Sequence, residues 1–305
     1  MKIWMGSNRG GALHTEAEAR VSAVDHGLTV GDGVFETLKA DQGTVFAVTR
    51  HLDRLARSAR GLGLPEPDDA MIREAIAETV AANDAHDFAR VRVTYTAGPS
   101  PLGSERGHGE PTLIVATGPV PRPAETTSAI TVPWTRNERS ALAGLKTTSY
   151  AENVVALARA KAAGATEALF ADTQGRLSEG TGTNIFLVIN GELTTPALTA
   201  GCLAGVTRAL VLHWTAVPSV PTSTPTILAP TPTIPSSIPP VTESPTLPFS
   251  ALQSADEIFL TSTLRDVQAV TELDGKPVGN GSIGPVTKAV RALFHAHAAA
   301  TPDPH

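Results

Sequence analysis

The sequence is poor in several residue types, and each shortage excludes a class of function. It has one cysteine, Cys202, so no disulfide can form within the chain. Aromatic residues make up only 4%, too few for the stacking surfaces that bind single-stranded nucleic acid. The net charge of −6 opposes binding to a phosphate backbone, although a local pocket of opposite charge can still take a small anionic substrate. The chain also lacks a long apolar run and a signal-peptide pattern after Met1. These absences predict a cytoplasmic protein that binds neither nucleic acid nor a membrane.

The sequence does contain interleaved helix and strand patterns, long enough for two domains. Residues 50–64 carry apolar residues at helical spacing, and residues 90–96 alternate as a half-buried strand does. Further helices are predicted at residues 68–82, 150–163 and 206–214, and further strands at 112–116, around 130, at 168–171 and at 184–188. Asn190-Gly191 predicts a hairpin turn. The pattern is that of an α+β protein.

Proline marks the expected domain boundary. Residues 118–123 read GPVPRP, which does not suit regular structure. We therefore predict a small N-terminal α+β domain of residues 1–120 and a larger C-terminal domain of residues 121–305.

One segment departs from the pattern of both domains. Residues 217–250 are dominated by Pro, Thr and Ser, with Glu243 as their only charge. We predict an extended or disordered surface loop there. Three interpretations stay open: a tolerated insertion, a proline-rich docking segment, or a frame-shifted stretch that replaced an ordinary helix and strand.

Three short motifs carry reactive residue types. Residues 145–150, LKTTSY, place a lysine directly before a predicted helix, and residues 177–184, LSEGTGTN, place one acid in a turn of small residues. Residues 201–208, GCLAGVTR, bring glycine and threonine to a helix start, where free N–H groups attract an anion. A pyridoxal-phosphate site requires these three parts: an amine for the aldehyde, a carboxylate for the pyridine nitrogen, and donors for the phosphate.

In their order and wording, these motifs resemble the class IV aminotransferase family, also called fold-type IV. The family includes branched-chain and D-amino-acid aminotransferases and aminodeoxychorismate lyase. The resemblance covers residues 25–215 and resumes at 247–293, and it is strong at residues 179–208 and at 255–263, ADEIFLTST. It implies a two-domain α+β fold, the cofactor pyridoxal 5'-phosphate and a homodimer.

The resemblance also implies roles for single residues. Lys146 holds the cofactor covalently and then carries protons, and Glu179 pairs with the pyridine nitrogen. The other matching cofactor contacts are Arg54, Val206, Thr207 and Thr263 at the phosphate, and Tyr150 at the phenolic oxygen. No metal site is predicted, because His295 and His297 have no acidic or cysteine partners near them in the sequence.

The substrate-side residues distinguish the possible reactions. Thr37 matches a position at which threonine assists proton transfer in the lyase branch, whereas the branched-chain enzymes carry glycine. Arg92 and Arg106 match or lie near positions that bind substrate carboxylates. Against this, Ala97 stands where relatives in both the lyase and the D-amino-acid branches often have arginine. The arginine-x-histidine pair of the D-amino-acid enzymes is also expected to be missing.

We therefore expect a 4-amino-4-deoxychorismate lyase, which releases pyruvate and leaves 4-aminobenzoate. The alternative is an aminotransferase that moves an amino group between a D- or branched-chain amino acid and a 2-oxo acid. A remote alternative is a non-catalytic interaction protein on a degenerate enzyme fold. The retention of Lys146, Glu179 and Thr207 together argues against that remote alternative.

Overall fold

The computed structural model describes residues 1–83, 86–216 and 238–305. They form two compact units, each with its own sheet. Unit 1 consists of Met1–Arg122, Leu145–Tyr150 and Pro302–His305, and unit 2 of Pro123–Gly144 and Ala151–Thr301. The mixture of helices and sheets confirms the α+β class. The division into independently folding domains at residue 120 stays a prediction.

Unit 1 is built on a six-stranded antiparallel sheet. Its strands are β1 (Lys2–Ser7), β2 (Gly10–Thr15), β3 (Gly33–Asp41), β4 (Thr44–Val45), β5 (Phe88–Thr96) and β6 (Thr112–Pro119), and its helices are α1 (His26–Thr29), α2 (Val48–Leu62) and α3 (Asp69–Ala81). The sheet order is β2-β1-β6-β5-β3-β4. Leu52 and Leu55 of α2 and Ile72 of α3 share one hydrophobic core with Val34 and Leu38, which lie on one face of β3.

The strand β6 corrects one detail of the sequence analysis. It runs through residues 118 and 119, which were expected to lie outside regular structure, and Pro119 pairs with Ala89 of β5. Proline is tolerated there because it is the last residue of the strand, where the ladder loses little from a missing N–H.

Unit 2 is built on a mixed sheet. Its strands are β7 (Thr126–Arg136), β8 (Glu167–Asp172), β9 (Leu177–Gly180), β10 (Asn184–Ile189), β11 (Glu192–Pro196), β12 (Val241–Ser244), β13 (Glu257–Ser262), β14 (Asp266–Leu273) and β15 (Lys276–Pro277), and its helices are α4 (Ala151–Ala162), α5 (Val206–Ala216) and α6 (Pro285–Ala300). The order is β12-β11-β10-β13-β14-β7-β8-β9, and β15 pairs with β14. The predicted hairpin is confirmed: Asn190 and Gly191 both have positive φ and join β10 to β11.

The prediction of an unstructured loop up to residue 250 is wrong for its last part. Val241–Ser244 forms β12, which pairs in parallel with β11, and Leu247 is buried. Glu243, the one charge of the segment, accepts a hydrogen bond from the buried Arg208 at 2.5 Å. No proline occurs between Pro240 and Pro245, so nothing within Val241–Ser244 prevents strand pairing. Residues 217–237 lie outside the described residues.

None of the helices described is both long enough and apolar enough to cross a membrane.

Candidate active site

The backbone of Lys146 is fixed by both the sheet and α2. The N–H of Phe35 donates to the carbonyl oxygen of Lys146 at 3.0 Å, and the N–H of Thr148 donates to that of Gly33 at 2.8 Å. The N–H of Lys146 itself donates to Oγ of Ser58 at 3.1 Å. The segment around the lysine thus continues the edge of the sheet at the start of β3.

The Lys146 side chain lies among aromatic rings. Its Nζ is 4.3 Å from the ring centroid of Phe35 and 5.7 Å from that of Tyr150, and the two rings meet edge to face. The guanidinium of Arg92 is 3.3 Å from the centroid of the same Phe35 ring. One aromatic ring therefore contacts an amine and a guanidinium, both of which are attracted to its π-electrons.

Thr37 and Arg92 lie opposite each other on β3 and β5. Both are half-buried. Burial lowers the pKa of Arg92 to about 10, so the guanidinium stays protonated at neutral pH. The structure thus brings together four residues predicted from the sequence. Lys146, Tyr150 and Arg92 contact the ring of Phe35, and Thr37 lies opposite Arg92.

Arg106 is already engaged by the protein. It donates twice to the carboxylate of Asp32, at 2.6 Å each, and once each to the carbonyl oxygens of Leu62 and Gly63 at 2.8 Å. Those carbonyls close the C-terminal end of α2, where a cation is favourable. Its role at a substrate carboxylate stays a prediction. In the structure, Arg106 connects Asp32 to the C-terminal end of α2.

Arg54 belongs to a buried charged cluster with Glu36 and His51. Its Nε and Nη2 donate to the two oxygens of Glu36 at 2.7 Å, and Nδ1 of His51 is also 2.7 Å from that carboxylate. Burial alone would raise the pKa of Glu36, but the charge and hydrogen bonds of Arg54, aided by His51, hold it far below its usual range. Sequence analysis missed Glu36 and His51. The spacing of His51 and Arg54, three residues apart on one helix face, was the available signal.

The start of α2 is capped from a distant part of the chain. Ala47 precedes the helix with a positive φ of 56° and no side-chain cap. The carboxylate of Asp303 accepts from the N–H and Oγ1 of Thr49, at 2.9 and 2.6 Å, and the N–H of Ala47 donates to Pro302. An anion at a helix N-terminus stabilises the helix, here the one that carries His51.

In unit 2, Glu179 is held by two groups of the same unit. Its Oε2 accepts the N–H of Leu203 at 2.9 Å, and its Oε1 lies 3.3 Å from Nε of Arg136. The side chains of Glu179 and Arg136 are each only 14% exposed. Sequence analysis predicted Glu179 and missed Arg136.

The loop before α5 is tied down through Asn184. Its Nδ2 donates to the carbonyl oxygen of Leu203 at 2.8 Å. A Cβ on Gly205 would lie 2.0 Å from Asn184 Oδ1, so a larger residue there would displace the amide that holds the loop. Val206 and Thr207 then begin the helix, both buried. The first N–H groups of a helix have no acceptor within it, which makes this turn suitable for an anion.

A buried hydroxyl lies on β13 beside this loop. Thr261 pairs with Asn184 across the strands, and its Oγ1 is buried with no hydrogen-bond partner within the described ranges. Thr263 follows two residues later, directly after the strand ends. Buried hydroxyls are nearly always paired, so the unpaired oxygen of Thr261 is consistent with a missing polar group.

Within the three described ranges, no group of three or more His, Cys, Asp or Glu side chains could hold a metal ion.

Cys202 gives a simple test of the packing around this loop. It is buried, and burial, reinforced by the charge of Glu179, raises the pKa of its thiol to about 12. Because the thiolate is the reactive form, we expect the thiol of Cys202 in the folded protein to react very slowly with a thiol reagent at pH 8. The same protein in denaturant should show its single thiol. Rapid reaction of the folded protein would contradict this packing.

Comparison with known proteins bears on the site as a whole. The family model for amino-transferase class IV matches residues 33–229. The Methanocaldococcus jannaschii protein named "Putative branched-chain-amino-acid aminotransferase" is 34% identical over 300 residues, covering 96% of this chain and 95% of that protein. The D-alanine aminotransferase of Bacillus licheniformis is 28% identical over 293 residues, covering 93% and 94%. The branched-chain aminotransferase of Thermoproteus uzoniensis, solved with norvaline, matches with a TM-score of 0.82 at 26% identity, covering 100% of this chain and 96% of that one.

Each of these proteins is named as an aminotransferase, and none is named as an aminodeoxychorismate lyase. The comparisons therefore support the alternative of the sequence analysis better than the lyase that it ranked first.

Proposed function

Since the chain belongs to the class IV aminotransferase family, we propose that it transfers the amino group of a branched-chain L-amino acid to a 2-oxo acid. The M. jannaschii relative, similar over nearly its whole length, supports this substrate class. The sequence analysis was wrong to expect no arginine-x-histidine pair, because Arg106, Gly107 and His108 have this pattern. Arg106 is bound to Asp32 in the structure, and the D-amino-acid alternative is separated by the experiment below.

Enzymes of this family use pyridoxal phosphate, and solved structures similar to this chain hold it or its derivatives. When bound, this cofactor takes up the substrate's amino group and withdraws electrons from the substrate's Cα. The chain carries the kinds of group that this cofactor needs. They are the amine of Lys146, the carboxylate of Glu179, the N–H groups at the start of α5 and the buried hydroxyl of Thr261, which has no hydrogen-bond partner among the described residues.

The proposed roles follow from the chemistry of each group. Lys146 holds the cofactor through Nζ, and the same nitrogen, once released, moves a proton from the Cα of the substrate to C4′ of the cofactor. Glu179 keeps a proton on the ring nitrogen. Groups proposed for the remaining cofactor contacts are Arg54, Val206, Thr207 and Thr263 at the phosphate and Tyr150 at the phenolic oxygen. We also propose a homodimer, as in the family at large.

The observation that carries the proposal is the pair of cations on Phe35. An amino acid substrate presents an amine, a carboxylate and, in the branched-chain case, an apolar side chain. Lys146 is the reacting amine, Arg92 is a fixed cation suited to the carboxylate, and the aromatic ring between them provides an apolar surface.

The lyase remains a second candidate because Thr37 lies opposite Arg92, in the pairing expected of a proton donor beside a carboxylate-binding residue. It is less well supported, since Arg106, the second cation expected for a dicarboxylate, already holds Asp32.

Mixing the cofactor-loaded enzyme with single amino acids, without any 2-oxo acid, tests the proposal. We expect L-leucine to bleach the visible absorbance of the bound cofactor, and addition of 2-oxoglutarate to restore it. D-alanine should leave the band unchanged. Bleaching by D-alanine and not by L-leucine would replace the proposal with a D-amino-acid aminotransferase. An enzyme that neither amino acid bleaches, but which forms 4-aminobenzoate from aminodeoxychorismate, would establish the lyase.

A further inference from the structure

Arg136 is a nearly buried arginine to which the sequence analysis gave no role. It is the last residue of β7, and its guanidinium lies 4.1 Å from the ring centroid of Phe170 on β8. The register of β7 against β8 shifts between Thr131 and Thr135, and after this irregularity Arg136 pairs with Asp172. A bulge redirects the side chains that follow it, so the position of Arg136 depends on this feature.

Two carboxylates share the charge of Arg136. Nε lies 3.3 Å from Oε1 of Glu179, and Nη1 lies 3.2 Å from Oε2 of Glu152. The side chain of Glu152 is 64% exposed, so water screens that pair. The pair with Glu179 is shielded from solvent and is the stronger electrostatic contact.

The contact with Glu179 is ionic. Within the described part of the chain, Nε of Arg136 has no hydrogen-bond partner, so its geometry toward Glu179 is not that of a hydrogen bond. The other oxygen of Glu179 accepts the N–H of Leu203 at 2.9 Å. One neighbour therefore sets the direction of the carboxylate, and the other favours its negative charge.

We propose that Arg136 is a positioning residue that keeps Glu179 ionised and in place for the ring nitrogen of the cofactor. The proposal rests on the proposed function, specifically on the role of Glu179. A carboxylate that stays ionised leaves the shared proton on the ring nitrogen, and a protonated ring withdraws electrons more strongly from the substrate. Without Arg136, the proton is shared more evenly between Glu179 and the ring nitrogen, and the Glu179 carboxylate is free to move further.

A structural role for Arg136 has three contacts to act through: Glu152 on α4, the carbonyl oxygen of Gly180, to which Nη2 donates at 3.5 Å, and the ring of Phe170. The chain offers a matched control for the first of them. Glu152→Ala removes the exposed partner and leaves the Glu179 contact in place.

The experiment compares Arg136→Met, Arg136→Lys, Glu152→Ala and Glu179→Gln with the wild type. Each apoprotein is titrated with pyridoxal phosphate, and the visible band of each loaded protein is followed against pH. We expect Arg136→Met and Glu179→Gln to weaken cofactor binding by about 10- to 100-fold, by analogy with the loss when a residue that orients a metal ligand is removed. Both should move the pH midpoint of the band in the same direction. Arg136→Lys should fall between Arg136→Met and the wild type, and Glu152→Ala should match the wild type.

The outcomes separate this inference from the proposed function. If Arg136→Met keeps the wild-type band and cofactor affinity while Glu179→Gln loses them, the proposed role of Arg136 is wrong. The proposed role of Glu179 would then still stand. Equal defects in Glu152→Ala and Arg136→Met would assign Arg136 a structural role and also overturn the proposed one. An unaltered Glu179→Gln would remove the proposed role of Glu179, and the inference with it. If Arg136→Met does not fold, the titration of Arg136→Lys decides the question. Wild-type cofactor affinity and band in Arg136→Lys, together with weaker cofactor binding in Glu179→Gln, would contradict the proposal.

Discussion

The Lys146→Ala protein is expected to lack the visible absorbance band of the wild type and to lose transamination by roughly 10²- to 10⁴-fold or more, since both covalent binding and proton transfer are removed. The measurement is the absorbance spectrum after addition of pyridoxal phosphate, together with the half-reaction rate with L-leucine. The backbone of Lys146 is fixed through Phe35 and Ser58, and these hydrogen bonds do not need the side chain. We therefore expect the variant to stay folded.

Lys161→Ala is the matched control, because Lys161 is exposed on α4. It should keep both the band and the rate. A Lys146→Ala protein with the wild-type band and rate would contradict the assignment of this lysine.

Glu36→Gln is expected to lower the free energy of unfolding by about 3–5 kcal/mol, the usual cost of removing one partner of a buried ion pair. The change leaves the guanidinium of Arg54 buried without its anion and removes the partner of His51. Denaturant unfolding of the two proteins at neutral pH measures the difference. Because Arg54 is the proposed phosphate ligand, cofactor affinity should fall in the same variant.

Asp41→Asn provides the comparison for this measurement. Asp41 also pairs bidentately with an arginine, Arg122, but the two side chains are 46% and 54% exposed. An exposed pair contributes about 0–1 kcal/mol. A loss in Glu36→Gln no larger than that in Asp41→Asn would show that the buried cluster does not stabilise the fold.

The pH dependence of stability follows from the same cluster. The folded-state pKa of Glu36 lies below its usual value of 4.5, so its contribution is present above pH 4.5 and is lost as the pH falls toward the folded pKa. Burial also lowers the pKa of His51 below 6.5, which adds a loss on the acid side of that value. Wild-type stability should therefore decline on acidification, and the Glu36→Gln protein should decline less steeply below pH 4.5.

The elements with strong local patterns were predictable from the sequence. The body of α2 was predicted at residues 50–64 and found at Val48–Leu62, because its apolar spacing and the glycine after it are local features. Its start was missed because the cap comes from Asp303, 254 residues away from Thr49. Local pattern does not reveal a cap supplied across such a separation.

The family was also predictable, and the comparisons confirm it together with the cofactor and the fold type. The motifs that carried the prediction are short and contiguous, as at residues 201–208. The reaction was predicted less well than the family, because the sequence does not show which contacts Thr37, Arg92 and Arg106 make. The structure shows Arg106 bound to Asp32, which sequence spacing does not indicate.

Glu36 and Arg136, which were not predicted, each contact a predicted residue on another element. Glu36 and Arg54 are 18 residues apart, on a strand and a helix, and Arg136 reaches Glu179 only after an irregularity in β7. Both contacts depend on how strands and helices pack. Such packing was not visible in a single sequence.

The most direct test of the central claim is to reduce the cofactor-loaded protein with borohydride, digest it with trypsin and locate the phosphopyridoxyl label by mass spectrometry. Trypsin does not cleave at a modified lysine, so the account predicts the label on an uncut peptide of residues 140–159, with Lys146 as the modified residue. A label on another lysine, such as the buried Lys39, or no label on a protein that binds the cofactor, would contradict it.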